Sequence, residues 1–465
     1  MTVEEIIGVI DDAVWGPYML VLLVGTGLFL TIRLKFLPWR NLPHALKSIF
    51  EKHESKSGRE NKGDISPFQS LMTALAATIG TGNIAGVATA LVSGGAGAIV
   101  WMWVSALFGL STKYAESVLA VKYREVNSAG EMVGGPMYAL KNGLKNKTLG
   151  MILAVAFCVF AVMASFGIGN MTQANSISTA LDTSFNIPLW ITGIVMVAVC
   201  FAVLLGGIKS IGRVCGVIVP VMAIFYIIAA VAVIIINGAN LPAGLREIFR
   251  MAFSVRAVAG GVGGTIVKSM MDGMRYGIAR GVFSNEAGLG SAPIAAAAAK
   301  TDRASRQGYI NMTGTFFDTI IICTLTGLSI ASSGVLGTVG ADGKLVDGID
   351  LTMLAFEQAL GPIGKYVISI GIILFAFSTI LGWEYYGERS LEFLVRKRPV
   401  MYVYRVIFCL ITFVGATTNL SIAWSFSDIA NGLMAVPNLL CLLILNKDIA
   451  KECFAYQRDV IKKDK

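Results

Sequence analysis

The chain has 465 residues, of which 55% are hydrophobic and only 14% are charged, and its mean hydropathy is +0.70. Soluble proteins carry a charge on about a quarter of their residues, so this composition excludes a soluble globular protein and predicts an integral membrane protein. The seven cysteines show no CxxC spacing and lie mostly in apolar runs, which favours packing thiols over disulfides or metal ligands.

Eleven stretches are each about long enough to cross the hydrocarbon core of a bilayer as an α-helix. Acidic residues, among them Asp11 and Asp12, precede the first stretch where a signal peptide would carry basic ones, so we predict a retained membrane helix there. The sequence therefore predicts an all-α integral membrane protein with about eleven transmembrane helices. The predicted spans cover residues 13–34, 67–92, 97–121, 148–175, 187–206, 213–236, 274–299, 307–332, 362–388, 401–417 and 421–445.

Basic residues are distributed unevenly between the loops. Of the 38 Lys and Arg residues, 29 lie in the loops and the tail on one side of this topology, and six lie on the other side. Because basic loops face the cytoplasm, we predict an external N-terminus and a cytoplasmic C-terminus. The asymmetry also accounts for the net charge of +9, so the lipid bilayer is an expected partner and a nucleic acid is not.

Two of the apolar spans are interrupted by residues that disfavour a helix. The second span contains GTGN at 80–83, and the seventh contains SNEAGLGSAP at 284–293. An unwound turn inside a membrane exposes peptide groups that must face protein, water or a ligand. Paired interruptions in two halves of a membrane protein are typical of a transporter's binding site, and close helix packing through small residues is the alternative interpretation.

The order of the spans predicts an internal repeat. One group of five spans starts at the broken second span, and another group of five starts at the broken seventh. Because five is an odd number, the two groups start on opposite sides of the membrane and have opposite orientations. We therefore predict a 5+5 inverted repeat with two discontinuous helices, and we assign the peripheral first helix no transport role. The loop 333–361 is either an external cap or a plain solvated connection. The predicted units are the peripheral helix with its basic cytoplasmic loop (1–64), the first repeat (65–236), an external amphipathic segment (237–272), the second repeat (273–446) and a basic tail (447–465).

The two breaks supply groups of both polarities. The N-terminus of a half-helix presents free N–H groups that suit a carboxylate, whereas unwound carbonyls suit a cation. One site with both polarities fits an amino acid. The residues assigned to the anionic group of the substrate are Thr78, Gly80, Thr81 and Gly82, and those assigned to its ammonium group are Phe283 and Ser284. Ile79 is also predicted to bind the substrate.

Polar residues on two further spans are candidates for the same site. Asn170 and Gln173 lie three residues apart on one helix face, where they either line the pocket or bond neighbouring helices. Ser378 and Thr379 are adjacent hydroxyls. They either join backbone carbonyls in an oxygen cage for a hard cation or bond their own preceding turn.

Charged residues inside the predicted spans need partners. Lys113 and Glu116, three residues apart, are predicted to form a structural ion pair. Arg275 lies one turn from Asp272 at the outer mouth of the seventh span. The remaining carboxylates, which are candidates for proton or gate groups, are Glu286, Asp318 and Glu384.

The motifs at 80–87 (GTGNIAGV) and 284–293 together resemble those of the alanine or glycine:cation symporter family, and the resemblance covers essentially the whole chain. It implies the leucine-transporter-type fold and sodium-coupled uptake of alanine and glycine across a prokaryotic plasma membrane, without a cofactor. It also places Phe283 and Ser284 at a substrate-contacting position.

The same resemblance implies a sodium site. Ser378 and Thr379 match a hydroxyl pair that completes this site with carbonyls of the first core helix. No clear asparagine supports a second sodium ion, and Asn311 is the nearest candidate. The residues implied in sodium binding are Thr78, Thr81, Asn83, Ser378 and Thr379.

We therefore predict a secondary active symporter that imports small neutral amino acids with sodium by alternating access. The alternatives are proton-coupled or facilitative amino-acid transport, and a channel. An intramembrane enzyme is disfavoured, because His44 and His53 both lie in one loop and the sequence has no HExxH or GxSxG motif.

Overall fold

The structure of the protein is a computed structural model that describes residues 3–51, 62–254, 257–261, 264–418 and 421–462. His53 therefore lies outside the described residues. An N-terminal helical segment turns at Trp15 and Gly16 and precedes the first interrupted helix. It comprises α1 (Val3–Val14), α2 (Pro17–Arg33), α3 (Leu37–Arg40) and α4 (Leu42–Ser48).

The next part of the chain contains the first interrupted helix and ends at residue 236. Its helices are α5 (Pro67–Thr78), a 3₁₀ turn (Thr81–Asn83), α6 (Ala85–Gly94), α7 (Ala98–Lys122), α8 (Pro136–Gly143), α9 (Lys147–Phe166), a π-helical turn (Gly167–Met171), α10 (Thr172–Phe185), α11 (Leu189–Leu204) and α12 (Gly207–Ile236). A short antiparallel hairpin after α7 pairs β1 (Glu125–Val126) with β2 (Met132–Val133), so that Glu125 lies opposite Val133.

The remaining part contains the second interrupted helix. It begins with the amphipathic helix α13 (Leu241–Phe253), followed by a hairpin of β3 (Ala257–Gly261) and β4 (Gly264–Lys268) with Ala257 opposite Lys268. The helices that follow are α14 (Met270–Asn285), α15 (Pro293–Ala297), α16 (Ala304–Thr315), a π-helical stretch (Phe316–Cys323), α17 (Thr324–Ser333), α18 (Gly348–Leu360), α19 (Ile363–Leu394), α20 (Arg398–Thr417), α21 (Ser421–Ile444), α22 (Asn446–Tyr456) and a π-helical turn (Gln457–Ile461).

The predominantly helical architecture confirms the predicted class. Each of the eleven predicted stretches coincides with a helix or an interrupted pair of helices. By length and composition, seven helices in the described part of the chain could cross a membrane. These seven run over Ile6–Arg33, Lys147–Phe185, Gly207–Ile236, Ala304–Ser333, Ile363–Leu394, Arg398–Thr417 and Ser425–Ile444.

The polarity of the helix faces is that of a membrane protein. On α12 the exposed residues Val217, Val221, Ile224 and Ile228 recur every three or four positions and form an apolar stripe. Polar side chains lie inside instead, where Asn83 and many hydroxyl groups are buried. Lipid can therefore cover the apolar stripe, while the helices satisfy the polar groups among themselves.

The segment 333–361 is more than a solvated connection. It contains α18, whose Leu351, Thr352 and Phe356 are completely buried. The hydroxyl of Thr352 donates to the carbonyl oxygen of Ile84 at 3.1 Å. This segment therefore packs directly against the first interrupted helix.

Candidate functional site

The first interruption separates α5 from α6. Backbone angles become extended at Ile79 and Gly80, a 3₁₀ turn follows, and α6 begins at Ala85. The amide of Gly80 donates to Oδ1 of Asn83 at 2.9 Å. The hydroxyl of Thr326 on α17 donates to the carbonyl of Asn83 at 2.8 Å. The predicted interruption is confirmed, and neighbouring side chains satisfy part of the backbone that it frees.

Position 80 requires glycine because α19 approaches this turn closely. A Cβ atom on Gly80 would lie 2.5 Å from Oγ1 of Thr379 and 3.4 Å from Oε1 of Gln173. A Cβ atom on Gly82 would lie 3.4 Å from the ring of Phe283. Gly80 therefore allows α19 to approach the first interruption, while Phe283 of α14 packs against Gly82 at an ordinary contact distance.

The second interruption separates α14 from α15. Helix α14 ends at Asn285, and Glu286 takes a left-handed conformation with φ 55°. Gly288 and Gly290 follow with φ of 101° and 87°, a region that favours glycine. Phe283 and Ser284 thus occupy the last turn of α14, where helix carbonyls lack partners within the helix.

Glu116 holds this second loop in place. Its Oε1 accepts hydrogen bonds from the amides of Gly288 (3.0 Å) and Gly290 (3.2 Å), and from Nδ2 of Asn438 (2.6 Å). Lys113 is 2% exposed, and its Nζ has no hydrogen-bond partner among the residues that the structure describes. The predicted Lys113–Glu116 pair is therefore not a direct one, because the Glu116 carboxylate turns towards the loop amides.

Five oxygen atoms converge beside the first interruption. The hydroxyl of Ser378 lies 3.3 Å from the carbonyl of Ala76, and that of Thr379 lies 3.1 Å from Ala76 and 3.5 Å from Ile79. Both hydroxyls also bond the carbonyl of Phe375 in their own preceding turn, at 2.9 and 3.0 Å. Both hydroxyls thus bond their own preceding turn, and their role in a cation cage stays a prediction. We refer to these atoms of Ala76, Ile79, Phe375, Ser378 and Thr379 as the oxygen cluster.

Asp318 joins the two interruptions. It lies on the π-helical stretch and is completely buried. Its Oδ1 accepts from Nδ2 of Asn83 at 2.7 Å and from the hydroxyl of Ser284 at 3.1 Å, and its Oδ2 accepts from Thr319 at 2.7 Å. From the sequence alone, Asp318 is one of three candidate proton or gate carboxylates, with Glu286 and Glu384. The available signal was its position as the lone charge in an apolar span.

Asn311, the nearest asparagine candidate for a second sodium site, bonds a residue of its own helix. It lies seven residues, about two helical turns, before Asp318, and its Oδ1 accepts from Nε2 of Gln307 at 2.8 Å. The residue that contacts Asn83 and Ser284 from this span is Asp318. The assignment of Asn311 to a second sodium site stays a prediction.

Asn170 and Gln173 point to different neighbours. Asn170 lies in the π-helical turn and donates to the carbonyl of Phe408 on α20 at 2.7 Å. Gln173 instead accepts from the amide of Thr81 at 3.4 Å. A π-helical turn breaks the regular spacing of a helix, so the three-residue spacing does not place both side chains at the same site. Gln173 lies at the first interruption, and Asn170 bonds a neighbouring helix.

Charged residues surround a small cavity of about 100 Å³ next to Phe283. The guanidinium of Arg280 lies 5.4 Å from the centre of the Phe283 ring and 4.0 Å from the carboxylate of Asp428. Arg275 bonds Asp12 of α1 at 2.6 Å. The first helix therefore lines this cavity, although the sequence analysis gave it no part in transport.

The other predicted charges have local roles. Asp272 accepts from the backbone amide and the hydroxyl of Ser269 in a capping box that begins α14. Glu286 accepts from the hydroxyl of Ser291 at 2.7 Å within the second loop. Glu384 lies 3.9 Å from Arg405, which also bonds Glu388.

Thr78 bonds the carbonyls of its own helix at residues 74 and 75, both at 3.2 Å.

Two interrupted helices that meet at buried main-chain and hydroxyl groups define a secondary transporter. The sequence model of the Sodium:alanine symporter family matches residues 1–465, and the chain belongs to that family. This confirms the family predicted from the two motifs. Members of the family are transporters, so the prediction that the protein is not an enzyme is also confirmed.

Two curated relatives illustrate this membership. The chain is 50% identical over 456 residues to the sodium/alanine symporter AgcS of Methanococcus maripaludis, covering 98% of both chains. It is 36% identical over 458 residues to the amino-acid carrier protein AlsT of Bacillus subtilis, covering 97% of this chain and 92% of that protein.

Solved structures share the fold at low sequence identity. The crystal structure of MhsT in complex with L-phenylalanine matches with a TM-score of 0.60 at 15% identity, over 85% of this chain and 93% of that one. MHP1, a nucleobase-cation-symport-1 family transporter, matches with a TM-score of 0.50 at 14% identity. The match covers 87% of this chain and 81% of MHP1. The protein thus has the predicted leucine-transporter-type fold.

Proposed function

We propose that the protein imports small neutral amino acids, alanine and glycine, together with sodium by alternating access. The oxygen cluster is the single observation that carries this proposal, because it places cation ligands directly beside the broken helix. The similar protein AgcS, a sodium/alanine symporter, supports sodium and alanine in this proposal.

The oxygen cluster suits a monovalent cation. All five of its atoms belong to uncharged carbonyl or hydroxyl groups, on Ala76, Ile79, Phe375, Ser378 and Thr379. Sodium has nearly the same radius as calcium, whose oxygen ligands lie about 2.3–2.6 Å away, so adjacent ligands are about 3.3–3.7 Å apart. The contacts of 2.9–3.5 Å within the cluster need little expansion to admit the ion. Sodium there links α5 to α19.

The substrate site is proposed between the two interruptions. The carboxylate of the amino-acid substrate would replace Oε1 of Gln173 as the acceptor for the amide of Thr81. The present contact between these two protein groups is long, at 3.4 Å. Its ammonium would meet the C-terminal carbonyls of α14 near Phe283 and the hydroxyl of Ser284. The Phe283 ring packs against Gly82 beside this site, and we propose that it limits the substrate to a small side chain.

Asp318 supplies the negative charge of the site in this proposal. It bonds Asn83 and Ser284, one residue from each interruption, and can balance a cation bound nearby. A buried carboxylate can instead carry a proton. Proton-coupled amino-acid transport is therefore the second candidate function, and Asp318 is the observation that favours it.

The larger arrangement follows from the spans and their charges. We propose eleven transmembrane helices in which 65–236 and 273–446 form the inverted repeat, with 1–64, 237–272 and 447–465 outside it. The distribution of basic loops supports an external N-terminus and a cytoplasmic C-terminus in a prokaryotic plasma membrane.

The driving force is sufficient for concentrative uptake. One positive charge moving through 100 mV releases about 2.3 kcal/mol, and a tenfold sodium gradient adds about 1.4 kcal/mol. Together these support an accumulation of roughly several-hundred-fold for an amino acid coupled to one sodium ion.

The test is uptake by the purified protein in proteoliposomes with labelled L-alanine, D-alanine, glycine, serine and leucine. Each is measured with a sodium gradient, with a proton gradient and with neither. We expect concentrative uptake of alanine and glycine with the sodium gradient and little uptake of leucine. Uptake driven by the proton gradient alone would favour the second candidate, and equal uptake without any gradient would overturn coupling.

A further inference from the structure

The ends of α5 and α15 that lie away from the two interruptions are joined by main-chain hydrogen bonds. The amide of Asp64 donates to the carbonyl of Ala298 at 2.8 Å, and the amide of Lys300 donates to the carbonyl of Ile65 at 2.8 Å. Ile65 and Ala299 form an isolated parallel bridge. We refer to residues 62–65 and 297–301 together as the inner junction.

Arg124 binds both strands of the inner junction. Its NH1 group donates to the carbonyls of Ala297 (3.0 Å) and Ala299 (2.8 Å), and its NH2 group donates to those of Lys62 (2.8 Å) and Thr301 (3.2 Å). The planar guanidinium group can reach four acceptors at once, which the point charge of a lysine cannot do.

The inner junction closes one end of the path between the interrupted helices. Twelve residues of α5 lead from it to the first interruption, and α15 leads from it to the second. The hydroxyl of Ser70 in α5 donates to the carbonyl of Ala295 in α15 at 2.9 Å, so the two half-helices touch along this length. The cavity beside Phe283 and Ala279 is lined by α14 from Arg275 to Phe283, so the second interruption separates it from α15. In the proposed orientation the inner junction lies on the cytoplasmic side, and separation of α5 and α15 opens a path there.

We propose that Arg124 is the positioning residue that holds the cytoplasmic side of the transporter closed. The inference rests on the proposed function, since it assigns Arg124 to one state of the alternating-access cycle. Its four hydrogen bonds exist only while the two strands of the inner junction are together. Loss of the guanidinium group therefore favours the inward-open state and, because the two sides alternate, disfavours access from outside.

The experiment uses the purified full-length protein in detergent, where a membrane-impermeant maleimide reaches both sides. Ser70→Cys reports on the contact between α5 and α15, and Ala279→Cys reports on the cavity beside Phe283. The seven native cysteines are all buried, and labelling of the protein without a reporter is subtracted. Each reporter is combined with Arg124→Gln and with Arg124→Lys.

In Arg124→Gln we expect Ser70→Cys to react about tenfold faster or more, because one hydrogen bond from a charged group already shifts an equilibrium by about that factor. Ala279→Cys should react more slowly. Arg124→Lys should lie between Arg124→Gln and the wild type. A second route to the same state is Gly63→Ala, whose Cβ atom would lie 2.5 Å from the carbonyl group of Ala299 and push the strands apart.

The matched control is Arg398→Gln, which removes an arginine that donates to the single carbonyl of Ser128 at 2.7 Å on the same side. It should leave both reporters unchanged. If Arg124→Gln accelerates Ser70→Cys and leaves Ala279→Cys unchanged, Arg124 only stabilises local structure and the proposal fails. Unchanged reactivity of both reporters also overturns it. If sodium and alanine alter neither reporter in the otherwise wild-type protein, alternating access itself fails, together with the role of Arg124.

Discussion

Replacing Thr379 with valine removes one atom of the oxygen cluster and nearly preserves the shape of the side chain. The hydroxyl oxygen lies 3.1 Å from the carbonyl of Ala76 and 3.5 Å from that of Ile79, in a residue that is 2% exposed. Its loss resembles the loss of a hydrogen bond to a charged group, which costs about 1.5–3 kcal/mol. The sodium concentration for half-maximal uptake should therefore rise roughly 10- to 150-fold.

The assay is alanine uptake into proteoliposomes as a function of external sodium at saturating alanine. Thr412→Val is the matched control, because the hydroxyl of Thr412 is also completely buried and bonds the carbonyl of Phe408 on α20 at 3.2 Å, outside the cluster. Ser378→Ala should behave like Thr379→Val, with Ser390→Ala on the same helix as its control. A half-saturating sodium concentration within about twofold of wild type in both cluster variants would refute the sodium assignment.

Three further substitutions test the rest of the site. Gly82→Val adds bulk beside the ring of Phe283 and should abolish alanine binding, measured with labelled alanine on purified protein; wild-type affinity would contradict the substrate site. Asp318→Asn keeps a group that Asn83 can contact but removes the charge, so sodium affinity should fall about tenfold or more; loss of a pH dependence with unchanged sodium affinity would identify a proton site instead. Glu116→Gln weakens the acceptor for the amides of the second loop and should lower the Tm of the protein. The half-saturating sodium concentration should not change, since Glu116 holds the loop and contacts no proposed ligand. A changed sodium requirement at an unchanged Tm would show that Glu116 takes part in ion binding instead.

The two interruptions were predictable because each depends on local chemistry. Gly80 and Gly82 within an apolar run indicate either close helix packing or an unwound turn. A neighbouring polar residue favours the unwound turn. The adjacent hydroxyls of Ser378 and Thr379 were visible for the same reason. Local composition also identified the amphipathic helix α13 and the spans themselves.

Contacts between distant residues were not predictable in the same way. Asn83 and Asp318 are 235 positions apart in the sequence, and no local pattern indicates that they meet. The π-helical turn at 167–171 alters the spacing on which the pairing of Asn170 with Gln173 depended. Arg124 showed only as one basic residue in a loop, because its four acceptors are main-chain carbonyls that any residue type provides.

The most direct measurement of coupling uses an alanine gradient to drive sodium uptake. Proteoliposomes with equal sodium on both sides receive an inward gradient of alanine, and uptake of labelled sodium is followed over time. If both solutes cross together at the broken helices, sodium accumulates transiently against its own gradient, and Thr379→Val suppresses this accumulation at the same sodium concentration. Sodium that stays at equilibrium while alanine enters would contradict symport.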